Sequence, residues 1–489
     1  MSLIHLRRFD FAFFFCVLLT FFSFSVRIAA QNIKASNLST ELYLSLNQHP
    51  QNHYFHILVT LKSQVDLSAW GQNELRSAVS RDQQIETLIG ALKGKAAATQ
   101  PRILDWMQSS IGVEKNSVKG YWIANLISLK ANAAFIADLS QHPEIDWIEI
   151  FPEMTIENYR SAPAATTVAP GGVEPGLNVI NARALWRLGY TGYGRKAMIV
   201  DSGQEYTHPA LRTQFAYNYG TLASTYRSSI VGDLCGEHGT AVASVVLGLD
   251  RLTRDTIGAA FNALWIGAPS AFLDPNTGQL CPLEGIQTNN LDVLQWALNP
   301  DGNSSTSSDV PDVVNNSWGN TSSVEECRSG YRAVVQSLDA AGIAVVFSAG
   351  NSGPGPSTVK LPGGLNLDLV VPMSIGSING NNANYPISDF SSRGPTVCGR
   401  DGSFLIKPEV VAPGENVRAA NLNGSYTQLY GTSFSAPYVT GAILLLKEAF
   451  PKLSGRQIAL SLYNSARDLG PTGEDNDYGK GLIDVGAAG

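Results

Sequence analysis

Four short, continuous apolar runs limit what this chain can fold into more than anything else in it. Lys196-Ala-Met-Ile-Val200, Pro311-Asp-Val-Val-Asn315, Gly342-Ile-Ala-Val-Val-Phe347 and Asp368-Leu-Val-Val371 lack the apolar–polar alternation of a half-exposed strand. They read as strands buried on both faces. Helical periods such as Val293 to Leu298 and Tyr331 to Ala341 lie between them. The expectation is an α/β fold, a parallel sheet with helices on both faces, from about residue 177 to the end. In such sheets functional groups collect where the strands end.

Upstream the pattern differs. His56 to Lys62, Gly120 to Lys130 and Asp146 to Phe151 read as strands, with helix over Trp70 to about Ile111 and Ala131 to Ser140. That makes a small α+β unit, its core at about 54–155. A stretch rich in Pro, Ala, Thr and Gly, 161–176, reads as a linker. At the N-terminus Arg7 and Arg8 precede the uncharged run Phe11 to Val26 and then Ala29-Ala30. This is the pattern of a secretory signal, 1–30, cut after Ala30, and the run is short for a spanning helix. An uncleaved anchor is the alternative. The chain is expected to be exported, to the periplasm or outside the cell, with no membrane span once the signal is gone.

Charged residues make up only 15% of the chain and the net charge is −7, with no basic run, which argues against a nucleic-acid partner. Without Cys16 four cysteines remain: Cys235, Cys281, Cys327 and Cys398. In an exported chain they allow two disulfides in any of three pairings, or a free Cys235 thiol near His238, and their spacing does not suit zinc. Sequons begin at Asn37, Asn303, Asn315, Asn320 and Asn423, and matter only in a eukaryotic secretory pathway.

The chemistry centres on Gly431-Thr-Ser-Phe-Ser-Ala-Pro437, followed by apolar residues at Val439, Ala442, Ile443, Leu446 and Phe450. Ser433 thus stands at or just before a helix N-terminus, where free N–H groups favour negative charge. It reads either as an N-cap or as a nucleophile whose own N–H steadies an oxyanion. A nucleophile needs a base, and beyond residue 176 only His208 and His238 are available. His238 opens a helix of small residues after Gly236, whereas His208, in a Thr-His-Pro turn, reads as structural. Asp201 follows a buried apolar run, a costly place for a carboxylate that has no partner. Asn351 ends another such run and can donate a second hydrogen bond to an oxyanion. Asp, His, Ser is one of the chain orders that reach a serine-hydrolase triad.

Asp201-Ser-Gly203, His238-Gly-Thr240, Ala349-Gly-Asn351 and Gly431 to Pro437 resemble the signature segments of the subtilisin-like serine proteases. Phe390 to Pro395, Lys407 to Gly414 and Tyr478 to Asp484 extend the likeness. Gln295 to Asp301 and Asp312 to Gly319 resemble the bacillopeptidase F branch, and about 54–155 resembles the family's inhibitory propeptide, the propeptide as a whole being expected over 31–160. The resemblance implies a secreted serine endopeptidase made as a proenzyme and active as a monomer on protein or peptide substrates. Its own propeptide would inhibit it intramolecularly. Asp201, His238 and Ser433 would be catalytic and Asn351 the oxyanion donor. Ser317, Trp318 and Gly319 would lie along the substrate backbone and line the S1 cleft with Ala349 and Gly350. The family usually has a second histidine and a glycine where this chain has Ala241 and Ser244. No cofactor is needed for the chemistry. Asp250 and Asp255 leave room for structural calcium without indicating it, and Phe272 to Gly285 reads as an insertion near the cleft.

Three other readings compete. An α/β-hydrolase esterase needs a histidine after the serine, and none follows Ser433. A metal-dependent hydrolase lacks clustered ligands. A non-catalytic binding protein on the same fold would be expected to have lost at least one of the four polar groups.

Overall fold

The computed structural model describes residues 35–68, 70, 79–162, 172–227, 236–270, 272–273, 280–281, 289–320, 327–399 and 405–489. The expected signal, most of the linker, Cys235 and most of the insertion lie outside them. The chain divides into two compact units: 1–64, 96–120 and 125–151 form the first, and 65–95, 121–124 and 152–489 the second.

The first unit contains helix α1 (Thr40–Gln48), strand β1 (Tyr54–Leu61) and the C-terminal part of helix α2 (Arg81–Ser109). Strands β2 (Lys119–Tyr121) and β3 (Leu126–Asn132), helix α3 (Ala133–Gln141) and strand β4 (Ile145–Ile150) follow. The sheet order is β2-β3-β1-β4, with β1 antiparallel to both β3 and β4. Phe55, Ile57, Val59 and Leu61 alternate along β1 into a core shared with Ile103, Met107, Phe135 and Ile148, a period-2 face meeting helical stripes. Ser39 and Asn132 cap α1 and α3 by accepting the N–H of Leu42 and Phe135. The single strand expected over Gly120 to Lys130 is split in two. Asn125, at φ 45°, turns the chain, as a short polar side chain readily can.

The second unit is built on strands β7 (Lys196–Asp201), β8 (Leu264–Pro269), β10 (Val313–Asn316), β12 (Ala344–Ser348), β13 (Met373–Ile378) and β14 (Val410–Pro413). All six are parallel, in the order β8-β7-β10-β12-β13-β14. This is the expected α/β architecture. The intervening numbers belong to three two- or three-residue strands, β5 (Met154–Thr155), β6 (Arg160–Ala162) and β9 (Phe272–Leu273), and to β11 (Gly319–Asn320). Helices α4 (His238–Leu247) and α5 (Thr432–Ala449) pack against each other and against the sheet. Helix α5 is buried from Thr432 to Lys447, which is why its apolar residues are not confined to one stripe.

One expected strand is absent. Asp368 to Val371 forms a tight turn, in which Leu367 N–H donates to Val371 O at 2.9 Å and Asp368 binds Arg456 at 2.9 Å. The strand begins instead at Met373, after Pro372. Burial alone does not separate the two, because Val370 and Val371 are also covered. The ends of the expected linker are likewise ordered: Arg160–Ala162 pairs with strand β16 (Tyr426–Tyr430), and Pro175–Val179 is helical. Cys327 and Cys398 form a disulfide with Cα atoms 4.9 Å apart.

Candidate active site

Asp201 is the last residue of β7, fully buried, and its Oδ1 accepts His238 Nδ1 at 2.8 Å and the Ser202 N–H at 2.8 Å. His238 is the first residue of α4 and is 1% exposed. Close packing between the two segments brings the pair together. A Cβ at Gly239 would stand 1.9 Å from Gly203 O, so neither the turn after Asp201 nor the start of α4 could approach with a larger residue there. With Nδ1 held by the carboxylate, Nε2 of His238 is buried and has no hydrogen-bond partner among the described residues.

Ser433 lies one residue inside α5, and the helix has no side-chain cap. It is therefore not the N-cap. Its backbone N–H is in the first turn, where no carbonyl lies four residues back. The Phe434 ring is 5.5 Å from the His238 ring, so the two helix N-termini stand side by side. In this conformer Ser433 Oγ donates to Ser317 O at 3.5 Å. Among the described residues no hydrogen bond joins Ser433 Oγ to His238 Nε2. Ser317 Oγ in turn donates to Ser433 O at 2.9 Å and accepts from Asn315 Nδ2 at 3.0 Å, while Thr440 Oγ donates to Asn315 Oδ1 at 2.8 Å. This buried network ties the serine turn to the end of β10.

Asn351 follows β12 in Ala349-Gly350-Asn351. Its Oδ1 accepts both the N–H and the hydroxyl of Thr432, and its Nδ2 donates to Asn158 O at 3.1 Å. The amide is thus oriented with its donor toward the cleft. Gly350 has φ 108°, a conformation that favours glycine, and a Cβ there would meet Glu157 Oε1 at 2.7 Å and Ser392 Oγ at 2.8 Å.

Residues 152–162 run through this site. Met154–Thr155 pairs antiparallel with Gly319–Asn320, with Thr155 opposite Gly319, and parallel with β9 at Leu273. Tyr159 lies 4.9 Å from the His238 ring and 5.8 Å from that of Phe434, and Arg160–Ala162 continues antiparallel to β16. Glu157 is half-buried, with its Oε1 covered beside Gly350 and Gly319, and its Oε2 accepts the Asn351 N–H. Burial pushes its carboxyl pKa up, while the Asn351 N–H and the Lys360 charge oppose the rise. Sequence reasoning did not single out Glu157, Ser392, Lys360 or Thr432. Only the register of 152–162 brings the first of these to the others.

The remaining polar residues have structural partners. His208 accepts the Ala210 N–H at Nδ1 and meets Ser425 O with Nε2 at 3.0 Å. That defines a neutral tautomer, and burial lowers its pKa. Behind His238, Ser244 Oγ donates to Ala241 O and accepts the Ala420 N–H at 2.9 Å, so the hydroxyl joins α4 to strand β15 (Val417–Ala420). Asp255 and Glu174 share Arg418, each at 2.6 Å.

Residues 193–481 match the family model described as "Subtilase family". Bacillopeptidase F of Bacillus subtilis (strain 168) is 30% identical over 455 residues, covering 84% of this chain and 29% of its own length. The chain thus spans less than a third of that relative. Subtilisin DY of Bacillus licheniformis is 30% identical over 316 residues, covering 64% of this chain and 97% of its own length. Subtilisin E of Bacillus subtilis (strain 168) is 28% identical, covering 64% and 70%.

Proposed function

This chain belongs to the subtilase family of serine-type endopeptidases, and from that premise we propose an exported proenzyme that splits protein backbones through an acyl-enzyme on Ser433. One observation carries the reading: Asp201 holds Nδ1 of His238 at 2.8 Å and leaves Nε2 buried and without a partner among the described residues, beside the N-terminus of the helix that bears Ser433.

In the proposed cycle Ser433 Oγ attacks the substrate carbonyl carbon and His238 Nε2 takes its proton. Asp201 fixes the tautomer and steadies the imidazolium without itself becoming protonated. The oxyanion that forms accepts from Asn351 Nδ2 and from the Ser433 N–H. His238 then gives the proton to the leaving amine, and water enters to release the acyl group by the same path reversed. Ser317, Trp318 and Gly319 hold the substrate strand by its backbone, as an added β-strand is held.

The proenzyme reading draws on segment 152–162, which already lies in the cleft as a substrate strand would. The alignment with Bacillopeptidase F also extends beyond the share of the chain that the subtilisins cover. In this reading 31–160 assists folding and then blocks the site until it is cut. Among the described residues no helix is long and apolar enough to cross a membrane. The test is Ser433→Ala. The variant is expected to accumulate as an uncut precursor. Maturation at the normal rate would defeat self-processing.

A further inference from the structure

The side chain of Glu157 occupies the pocket beside the proposed nucleophile, and an acid is an expensive occupant there. A buried carboxylate costs several kcal/mol unless donors and a cation receive it. An apolar-selective pocket offers neither. This one is built differently. The Asn351 backbone N–H donates to Glu157 Oε2. Ser392 is fully buried, its Oγ accepts the Ser352 N–H at 3.0 Å, and it lies beside Glu157 Oε1 at the pocket floor under Gly350. Oε1 has no hydrogen-bond partner among the described residues. The Lys360 stem lines the wall next to Gly319 without an ion pair to Glu157, and its charge, after the Asn351 N–H, offsets part of the larger effect of burial, which pushes the carboxyl pKa up.

We propose that this pocket selects acidic side chains, so that the enzyme cuts after glutamate and its first such cut is after Glu157. The inference rests on the serine-endopeptidase reading above and names its substrate class. Thr155 opposite Gly319 sets the register, two residues before the side chain that enters the pocket. In the uncut chain Asn351 Nδ2 meets Asn158 O. For cleavage the Glu157 carbonyl has to take that place. Ser433 Oγ then bonds to the Glu157 carbonyl carbon and the bond to Asn158 nitrogen breaks. The serine proton passes through His238 to the new Asn158 amine. Water subsequently frees the Glu157 carboxyl and restores the serine hydroxyl.

Lys360 and Ser392 would be the specificity determinants. Lys360 distinguishes glutamate from glutamine, because the amide offers the same shape without the charge. The test begins with the full chain left to process itself, followed by N-terminal mass spectrometry and a peptide library varied at the residue before the cut. The expected mature N-terminus is Asn158, with cleavage after Glu at least tenfold faster than after Gln or Leu. Lys360→Met should lower the Glu-over-Leu ratio of kcat/KM by about tenfold, and Lys360→Arg should retain it. An N-terminus at Tyr159, or a library cut best after apolar residues, overturns this inference and leaves the endopeptidase reading standing. A chain that neither matures nor cuts any peptide overturns both.

Discussion

Thr432 donates to Asn351 Oδ1 twice, from its N–H at 2.9 Å and from its hydroxyl at 2.8 Å. Both bonds fall on the oxygen of the amide, so only the nitrogen is left to face the cleft. The same hydroxyl accepts the Gly350 N–H at 3.2 Å. The residue before the proposed nucleophile thereby orients the proposed oxyanion donor. Asn351→Leu is expected to lower kcat by about 10²–10³ with little change in KM, the range known for the oxyanion amide of a subtilisin. Thr432→Val keeps one of the two bonds and should cost about tenfold in kcat. Steady-state kinetics on a peptide amide checks both; a change in KM alone would contradict the assignment.

Arg418 sits between Asp255 and Glu174 and is mostly buried, with 11% of its side chain exposed. Removing the guanidinium leaves two carboxylates covered and unneutralised. Arg418→Met, in a Ser433→Ala background that prevents self-digestion, should lose about 3 kcal/mol of stability. Denaturant unfolding measures it. A loss below about 1 kcal/mol would show that water reaches the carboxylates freely.

Glu448 receives three backbone N–H groups, from Thr191 and Gly192 at 2.6 Å and from Tyr193 at 3.1 Å. A single carboxylate thus pins the turn leading to β7, whose far end carries Asp201. Glu448→Ala should cost about 1–2 kcal/mol, the side chain being partly exposed. Glu448→Gln should recover part of that in the same unfolding experiment.

In the first unit His56, an exposed residue, stacks on Phe151 at 4.3 Å, and desolvation of the ring there, followed by the Lys130 charge, lowers its pKa to about 4. The folded unit therefore favours the neutral ring. The stability tied to that preference is complete above the free-histidine value of about 6.5 and is lost as pH falls from there toward about 4. The protection factors of the β1 amides in the Ser433→Ala precursor, with the intrinsic pH dependence of exchange divided out, should fall over that window. His56→Gln should flatten the dependence; an unchanged slope would contradict it.

Much of the candidate site was legible in the sequence because the chemistry leaves little freedom. An aspartate directly after a buried strand, a histidine entering a helix of small residues and a serine entering another are each constrained by burial, and their order along the chain does the rest. The sheet was legible at three of its six strands, around Ala197 to Val200, Val313-Val314 and Ile343 to Phe347, and not at Leu264–Pro269, Met373–Ile378 or Val410–Pro413. It was misread at Asp368 to Val371, where an ion pair to Arg456 makes a turn of an apolar run. The role of Ser433 could not be settled from its stretch alone, since a cap and a first-turn nucleophile share the same sequence signal. Glu157 was not legible at all. Its place depends on how 152–162 registers against Gly319–Asn320, and a one-residue slip would send a different side chain into the pocket. The pairing of Cys327 with Cys398 spans 71 residues and has no local signature.

The central claim is that His238, held by Asp201, turns Ser433 into a nucleophile. Labelling of the self-processed chain with a fluorophosphonate, followed by peptide mapping, tests it most directly. The account predicts a single phosphonylated residue, Ser433, and loss of the label when the matured enzyme is denatured before exposure to the probe. A folded, matured chain that leaves Ser433 unlabelled, or carries the label elsewhere, would contradict it.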